Sequence, residues 1–233
     1  MHRLSVWTFR FVTIGCIAVA ITAGCGGGGG GGGAASPASF ADSGHAFSPN
    51  YLQDLKSLSH WSQFPVNVYF DTSGSYTPVL QASATTGFDN WEAATGNVAA
   101  YHVVTDPSQA QITIQFVPTL PNSYIGWTTW SYDDNGVNVS ATTRIAVTGL
   151  GATDVQWVGC HEMGHAMGLN GHSKDEADVM FATHLLGSTW ALTPSDVDTV
   201  KSDYYWLFTS ASPAVTVPPG QATHSAEIYC QRQ

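Results

Sequence analysis

Apolar positions along this chain change period several times, and each change marks an element. Phe64-Pro65-Val66-Asn67-Val68-Tyr69-Phe70 alternates apolar and polar residues, as a half-buried strand does. After a turn at Thr72-Ser73-Gly74-Ser75, the stretch from Pro78 to Ala94 puts Leu80, Ala84, Phe88, Trp91 and Ala94 on one stripe. That spacing predicts a helix, ended by Gly96. A short strand is expected at 101–105, and Gln111 to Val117 alternates cleanly with its apolar side inward. Strands over 125–131 and 141–148 flank Asp133-Asp134-Asn135-Gly136, a hairpin signal. Those acids are also of a type that holds calcium, although a turn already accounts for them.

Further on, the period becomes helical again. Asp154 to Gly168 is apolar nearly all round, which predicts a buried helix with Thr153 or Asp154 as its N-cap. Thr193-Pro194-Ser195-Asp196 joins a capping hydroxyl, a proline at the first position and an acid at the third. It should open a last helix reaching about Trp206. Residues 38–60 show little periodicity and are expected to form an ordered-to-loose lead-in, while the tail from Ser210, rich in Pro, Ser, Thr and Val, is expected to be loosely structured apart from Cys230. The sum is an α+β chain of about five strands and three helices, the second of them buried. Folded structure is expected over 61–209, with a leader at 1–24, a tether and lead-in at 25–60 and a tail at 210–233.

Composition changes the picture at the N-terminus. Arg3 and Arg10 precede an apolar run from Phe11 to Ala23, shorter than the roughly 20 residues a membrane-spanning helix needs, so the segment reads as an export signal. It ends in Thr22-Ala23-Gly24-Cys25, which resembles a bacterial lipobox despite a threonine where an aliphatic residue is usual. The resemblance implies that Cys25 becomes the lipidated first residue, and an ordinary signal peptide cut nearby is the competing reading. Glycines fill positions 26–33, a composition that cannot build a core and makes a flexible tether. The implied location is outside the cytoplasm, at the outer membrane surface or facing the periplasm.

Beyond Cys25 the basic residues are Lys56, Arg144, Lys174, Lys201 and Arg232, scattered against 17 acidic ones. With no basic cluster, nucleic acid is an unfavourable partner. Cys160 and Cys230 remain as thiols in an oxidising compartment. A bridge between them would close a loop of about 70 residues worth roughly 4 kcal/mol; otherwise Cys160 is a small buried hydrophobe and Cys230 a free tail thiol.

Chemistry concentrates in His161-Glu162-Met163-Gly164-His165-Ala166-Met167-Gly168-Leu169-Asn170-Gly171-His172. On a helix, positions i and i+4 share a face, so His161 and His165 can grip one zinc ion while Glu162 serves as general base toward a water on that ion. Catalytic zinc takes three protein ligands and keeps a fourth position open. The third must come from beyond Gly168, where glycine allows the left-handed turn. His172 is the nearest candidate. His102 and His184 are expected to be structural or surface residues.

The stretch from Val158 to Phe181 resembles the metzincin zinc peptidases, closest to the matrixins. The family pattern is H-E-x-x-H-x-x-G-x-x-H, then Ser and a methionine turn, matched here by His172-Ser173 and by Asp178-Val179-Met180-Phe181. One departure stands out: three residues, not two, separate Gly168 from His172. A monomer is expected. The resemblance implies a zincin-like fold over about 64–206, with a twisted mixed sheet of about five strands, a backing helix, an active-site helix and a small C-terminal subdomain with one helix. It implies a hydrophobic floor at Met180, leaves Asp175 as the fallback for the third ligand, and points to a zinc-dependent endopeptidase acting on proteins or peptides. It also implies that the 125–131 strand is the sheet edge on which an extended substrate pairs. The family's inhibitory cysteine motif and structural-zinc histidines have no counterpart, so neither latency nor a second zinc is implied. A binding module that keeps the fold without catalysis is the alternative, and the intact Glu162 argues against it.

Overall fold

The computed structural model describes residues 47–209 and 220–233. The expected leader, the Cys25 lipobox and the glycine tether lie outside the described residues. In chain order the elements are β1 (Ser57–Leu58), β2 (Val66–Asp71), α1 (Pro78–Ala94), β3 (Tyr101–Val104), β4 (Ile112–Val117), β5 (Tyr124–Tyr132), β6 (Asn138–Ala146), α2 (Ala152–Ala166), β7 (Leu169–Asn170), β8 (Thr183–His184), α3 (Pro194–Asp203), α4 (Tyr205–Phe208) and β9 (His224–Arg232). Among these helices none is long and apolar enough to cross a membrane.

Alternation in β2 and β4 sends Val66, Val68, Phe70, Ile112, Ile114 and Phe116 into the core. That burial fixes register, because a slip by one residue would turn every one of them to water. Thr77 caps α1 by accepting from the Leu80 amide at 3.2 Å. Ala84, Phe88 and Trp91 then bury its inner face. Where α1 crosses α2, a Cβ on Gly87 would stand 2.2 Å from the Gln156 carbonyl, so the backbones touch only because that side chain is missing. Trp91 Nε1 donates to the Cys160 carbonyl at 2.7 Å and locks the crossing.

The sheet has seven strands, in the order β3-β2-β4-β6-β5-β9-β8, rather than about five. Strands β3, β2, β4 and β6 run parallel, and β5 is antiparallel to β6 through the expected hairpin. Among the described residues of the tail, 224–232 are not loose: β9 lies antiparallel along β5 from Tyr132↔His224 to Tyr124↔Gln231. Short β8 then closes that side, parallel to β9. The tail's alternation escaped the sequence reading because most of β9 is exposed and polar, with only Ile228 and Cys230 buried.

The lead-in, expected between ordered and loose, is docked where it is described, from residue 47 on. Tyr51 is buried, its amide donating to Thr199 Oγ1 at 3.1 Å and its hydroxyl to Asp196 Oδ1 at 3.0 Å. Trp61 Nε1 donates to the Ala166 carbonyl at 2.9 Å, and β1 pairs antiparallel with β7. These contacts join α3 and the end of α2 into one core.

Candidate metal centre

His161 and His165 lie one turn apart on α2, both fully buried. Each Nδ1 sits 2.7 Å from a backbone carbonyl, that of Val179 for His161 and that of Leu169 for His165. A carbonyl only accepts, so both rings carry their proton on Nδ1 and keep a bare lone pair on Nε2. Burial holds both rings neutral, pushing His161 down to about 3 and His165 well below its ordinary value. The two Nε2 atoms nevertheless stand 3.0 Å apart. Two lone pairs at that distance repel unless a cation lies against both.

His172 completes the set. Its Nε2 is buried without a hydrogen-bond partner among the described residues, and one nitrogen from each of the three rings lies within 4.8 Å of the others. Burial, then the charge of Lys56, lowers His172 to about 4. Three neutral imidazoles with converging lone pairs fit zinc, which takes nitrogen ligands of this kind.

The path to His172 explains the extra residue between Gly168 and the third ring. Gly168 has φ +120°, and a Cβ there would stand 1.6 Å from the Ser59 carbonyl, so only glycine passes. Leu169 and Asn170 then pair with β1, with Lys56 N donating to the Asn170 carbonyl at 2.7 Å. The longer turn is spent on this strand pair and still returns His172 to the cluster. Asp175, the fallback ligand, is exposed and caps its own turn by accepting from Ala177 N at 2.9 Å. It is no part of the cluster.

Glu162 is buried between the two ring-bearing positions. Its Oε2 accepts from Thr128 Oγ1 at 2.6 Å, while Oε1 has no hydrogen-bond partner among the described residues. Burial raises the carboxyl to about 7, with the Cys230 thiol and the Thr128 hydroxyl pulling the other way. Gly126 makes the room, since a Cβ there would stand 2.0 Å from Glu162 Oε1 and 2.7 Å from Cys230 Sγ.

Met180 is fully buried under α2, against the bare backbone of Gly164, where a Cβ would meet its sulfur at 2.4 Å. Asp196 holds this loop by accepting from Val179 N at 2.8 Å and Met180 N at 3.2 Å. Because the Val179 carbonyl in turn orients His161, Asp196 reaches the metal position through one peptide unit. Ser173 donates to Asp178, tying the residue after His172 to the same loop.

Several side chains lie elsewhere than expected or were missed. Cys160 and Cys230 are both free and buried, so the expected bridge does not form. Cys160 and Glu162 are two residues apart, about 200° around the helix, and Cys230 sits on the Glu162 side. The α2 N-cap is Gly151, not Thr153 or Asp154; Asp154 accepts instead from Gly151 N at 2.9 Å. His102 is exposed on β3. His184 bonds Asp154 Oδ1 at 3.1 Å and stacks on Trp157 with ring centroids 4.3 Å apart. Asp133 accepts from Asn135 N and Val137 N, both at 2.9 Å, as a turn residue does. Thr128, Gly126 and Cys230 were not foreseen at the site. The one local signal was a hydroxyl at an inward position of β5, between Gly126 and Trp130.

Compared with known families, residues 126–205 match the model of the matrixins, peptidase family M10. The matched span runs from β5 into α4 and contains all three histidines, Glu162 and Met180. The mixed sheet and its two central helices agree with the metzincin-type α+β fold. A search of curated proteins returned no match.

Proposed function

We propose that this chain, matrixin-like from Gly126 to Tyr205, is a zinc-dependent endopeptidase with His161, His165 and His172 as its metal ligands and Glu162 as its base. One observation carries the reading: two imidazole lone pairs 3.0 Å apart, with an unpartnered third imidazole nitrogen and an unpartnered carboxylate oxygen in the same buried cluster.

Bound there, zinc supplies a Lewis acid that acidifies water and polarises a peptide carbonyl. The residues do the rest. Carbonyl bonds at both Nδ1 atoms fix the tautomers of His161 and His165 and aim their Nε2 atoms. Thr128 pins one oxygen of Glu162, leaving Oε1 to take a proton from the attacking water and return it to the departing amine. A carboxyl held near 7 is matched to that exchange, because acid and base forms are both accessible at neutral pH. Met180 closes the floor with apolar bulk and excludes solvent from below.

Export and anchoring belong to the same proposal. The basic start, the short apolar run and Cys25 support a lipid-anchored protein outside the cytoplasm, with Gly26 to Gly33 as its spacer. Replacing Cys25 by Ser should move the protein from the membrane fraction to the soluble one.

The test of the chemistry is Glu162→Gln. The variant should keep its zinc, read by metal analysis, and lose hydrolysis of denatured casein by about 10²–10⁴-fold or more. Equal cleavage by variant and parent would rule out the base. A protein that binds zinc but whose parent form never cleaves would point to the non-catalytic binding module.

A further inference from the structure

We propose that β9 is a built-in occupant of the substrate seat, lying along β5 as an extended peptide would and holding Cys230 at the metal position, so that the folded chain is latent. The proposal rests on the endopeptidase reading and adds a control element to it.

The main chain supports it first. Without β9, β5 would be the sheet edge beside Glu162 and the histidines. An extended peptide binds such an edge by completing the ladder. The chain's own residues 224–231 already complete it, antiparallel. A substrate strand would need those same backbone donors and acceptors on β5, so the two exclude each other.

Side-chain direction supports it next. The inward positions of β5 nearest the site, Gly126 and Thr128, pair with Cys230 and Ile228, the two buried residues of β9. The sulfur of Cys230, a ring nitrogen of His161 and a carboxylate oxygen of Glu162 all lie within 4.8 Å of one another. Thiolate is a good zinc ligand. To bind, Cys230 must release its proton, and Glu162 stands beside it to accept. Gly126, opposite Cys230, leaves the space that the sulfur fills.

The strand is also built to leave. Its outer side is held by stacking, with Tyr229 on Tyr124 at 4.5 Å and on Trp127 at 5.2 Å between ring centroids. Its first residue rests on an exposed contact, His224 to Asp134 at 3.1 Å, and its last residues on the two-residue β8 and on Gln233 Nε2 to Thr183 Oγ1 at 2.7 Å. A peptide taking its place would restore the ladder bonds. Beside it a cavity of about 430 Å³, lined by Tyr124, His172, Ile228 and Tyr229, offers room for substrate side chains.

The test uses full-length protein loaded with cobalt in place of zinc. The parent should show a thiolate-to-cobalt charge-transfer band that Cys160→Ser keeps and Cys230→Ser loses. With zinc, Cys230→Ser and a chain ending at residue 222, its fold checked by circular dichroism, should cleave casein at least tenfold faster than the parent. A synthetic peptide of residues 223–233 should inhibit the shortened chain, and its serine version should inhibit less. Absence of the band, or its survival in Cys230→Ser, overturns the placement of Cys230. Cleavage by the parent as fast as by folded Cys230→Ser overturns latency. If the band behaves as expected and no form cleaves, the endopeptidase reading has failed while the thiol at the metal position stands.

Discussion

On α2, the two ring nitrogens that face away from the metal position are each bound to a backbone carbonyl, His161 to Val179 and His165 to Leu169, inside a continuous core. On the facing wall, β9 buries only Ile228 and Cys230 and leaves most of its other side chains to solvent. The first region is held by packing that cannot be replaced locally. The second is held by ladder bonds and stacked rings that another strand could supply. A site built this way keeps its ligands aimed whether or not its cleft is filled.

That contrast can be broken most severely on the rigid side. Gly168→Ala puts a Cβ into the Ser59 carbonyl at a φ that disfavours side chains. The expected cost is about 4 kcal/mol or more, a fall in melting temperature of about 10 °C. An unchanged thermal melt would show that the turn after α2 relaxes freely. Next comes Asp196→Asn, which weakens the hold on the Val179 and Met180 amides and so the orientation of His161. Zinc affinity should fall about 10–100-fold, as for loss of an outer partner of a metal ligand, measured by competition with a chromophoric chelator. No change in affinity would confine Asp196 to capping α3.

Protons test the same wall more gently. Zinc needs the three rings neutral, and in the folded protein burial has already lowered His161 to about 3 and His172 to about 4 from an ordinary 6.5. Protons therefore compete with the metal only as pH falls toward those lowered values. Zinc should be retained at pH 6 and released only at about pH 4 or below; half-release at about 6.5 would mean the rings are not desolvated. The smallest effect is expected on the replaceable side. Tyr229→Ala removes two ring contacts, those with Tyr124 and Trp127. Amide exchange should quicken in β9 while the protection of α2 stays as it was. Equal loss of protection in both would show that the strand and the helix unfold as one unit.

Local signals served well where the physics is local. Leu80, Ala84, Phe88 and Trp91 repeat at helical spacing, and α1 runs over the predicted residues 78–94. His161, Glu162 and His165 share one helix, and helical geometry alone brings the two rings together. In the sequence the extra residue before His172 is only a departure from the family pattern, because only the pairing of β7 with β1 shows what the longer turn does. Cys230 read as a tail thiol or a partner for Cys160, since nothing near it in the chain announces that β9 returns to β5. Tyr51 lies in a lead-in with little periodicity, and its buried bond to Asp196 spans almost the whole folded region.

By itself the sequence determined the periodic elements and the placing of His161, Glu162 and His165 on one helix, because a repeat of 3.6 or 2 residues and an i, i+4 pair are properties of a few neighbouring positions. Only the tertiary structure decided which strand borders Glu162, which hydroxyl holds it, and that a cysteine from the far end of the chain stands at the same spot. Those are contacts between residues distant in sequence, set by sheet order and by the close packing of α2 against β5, and no local pattern encodes them.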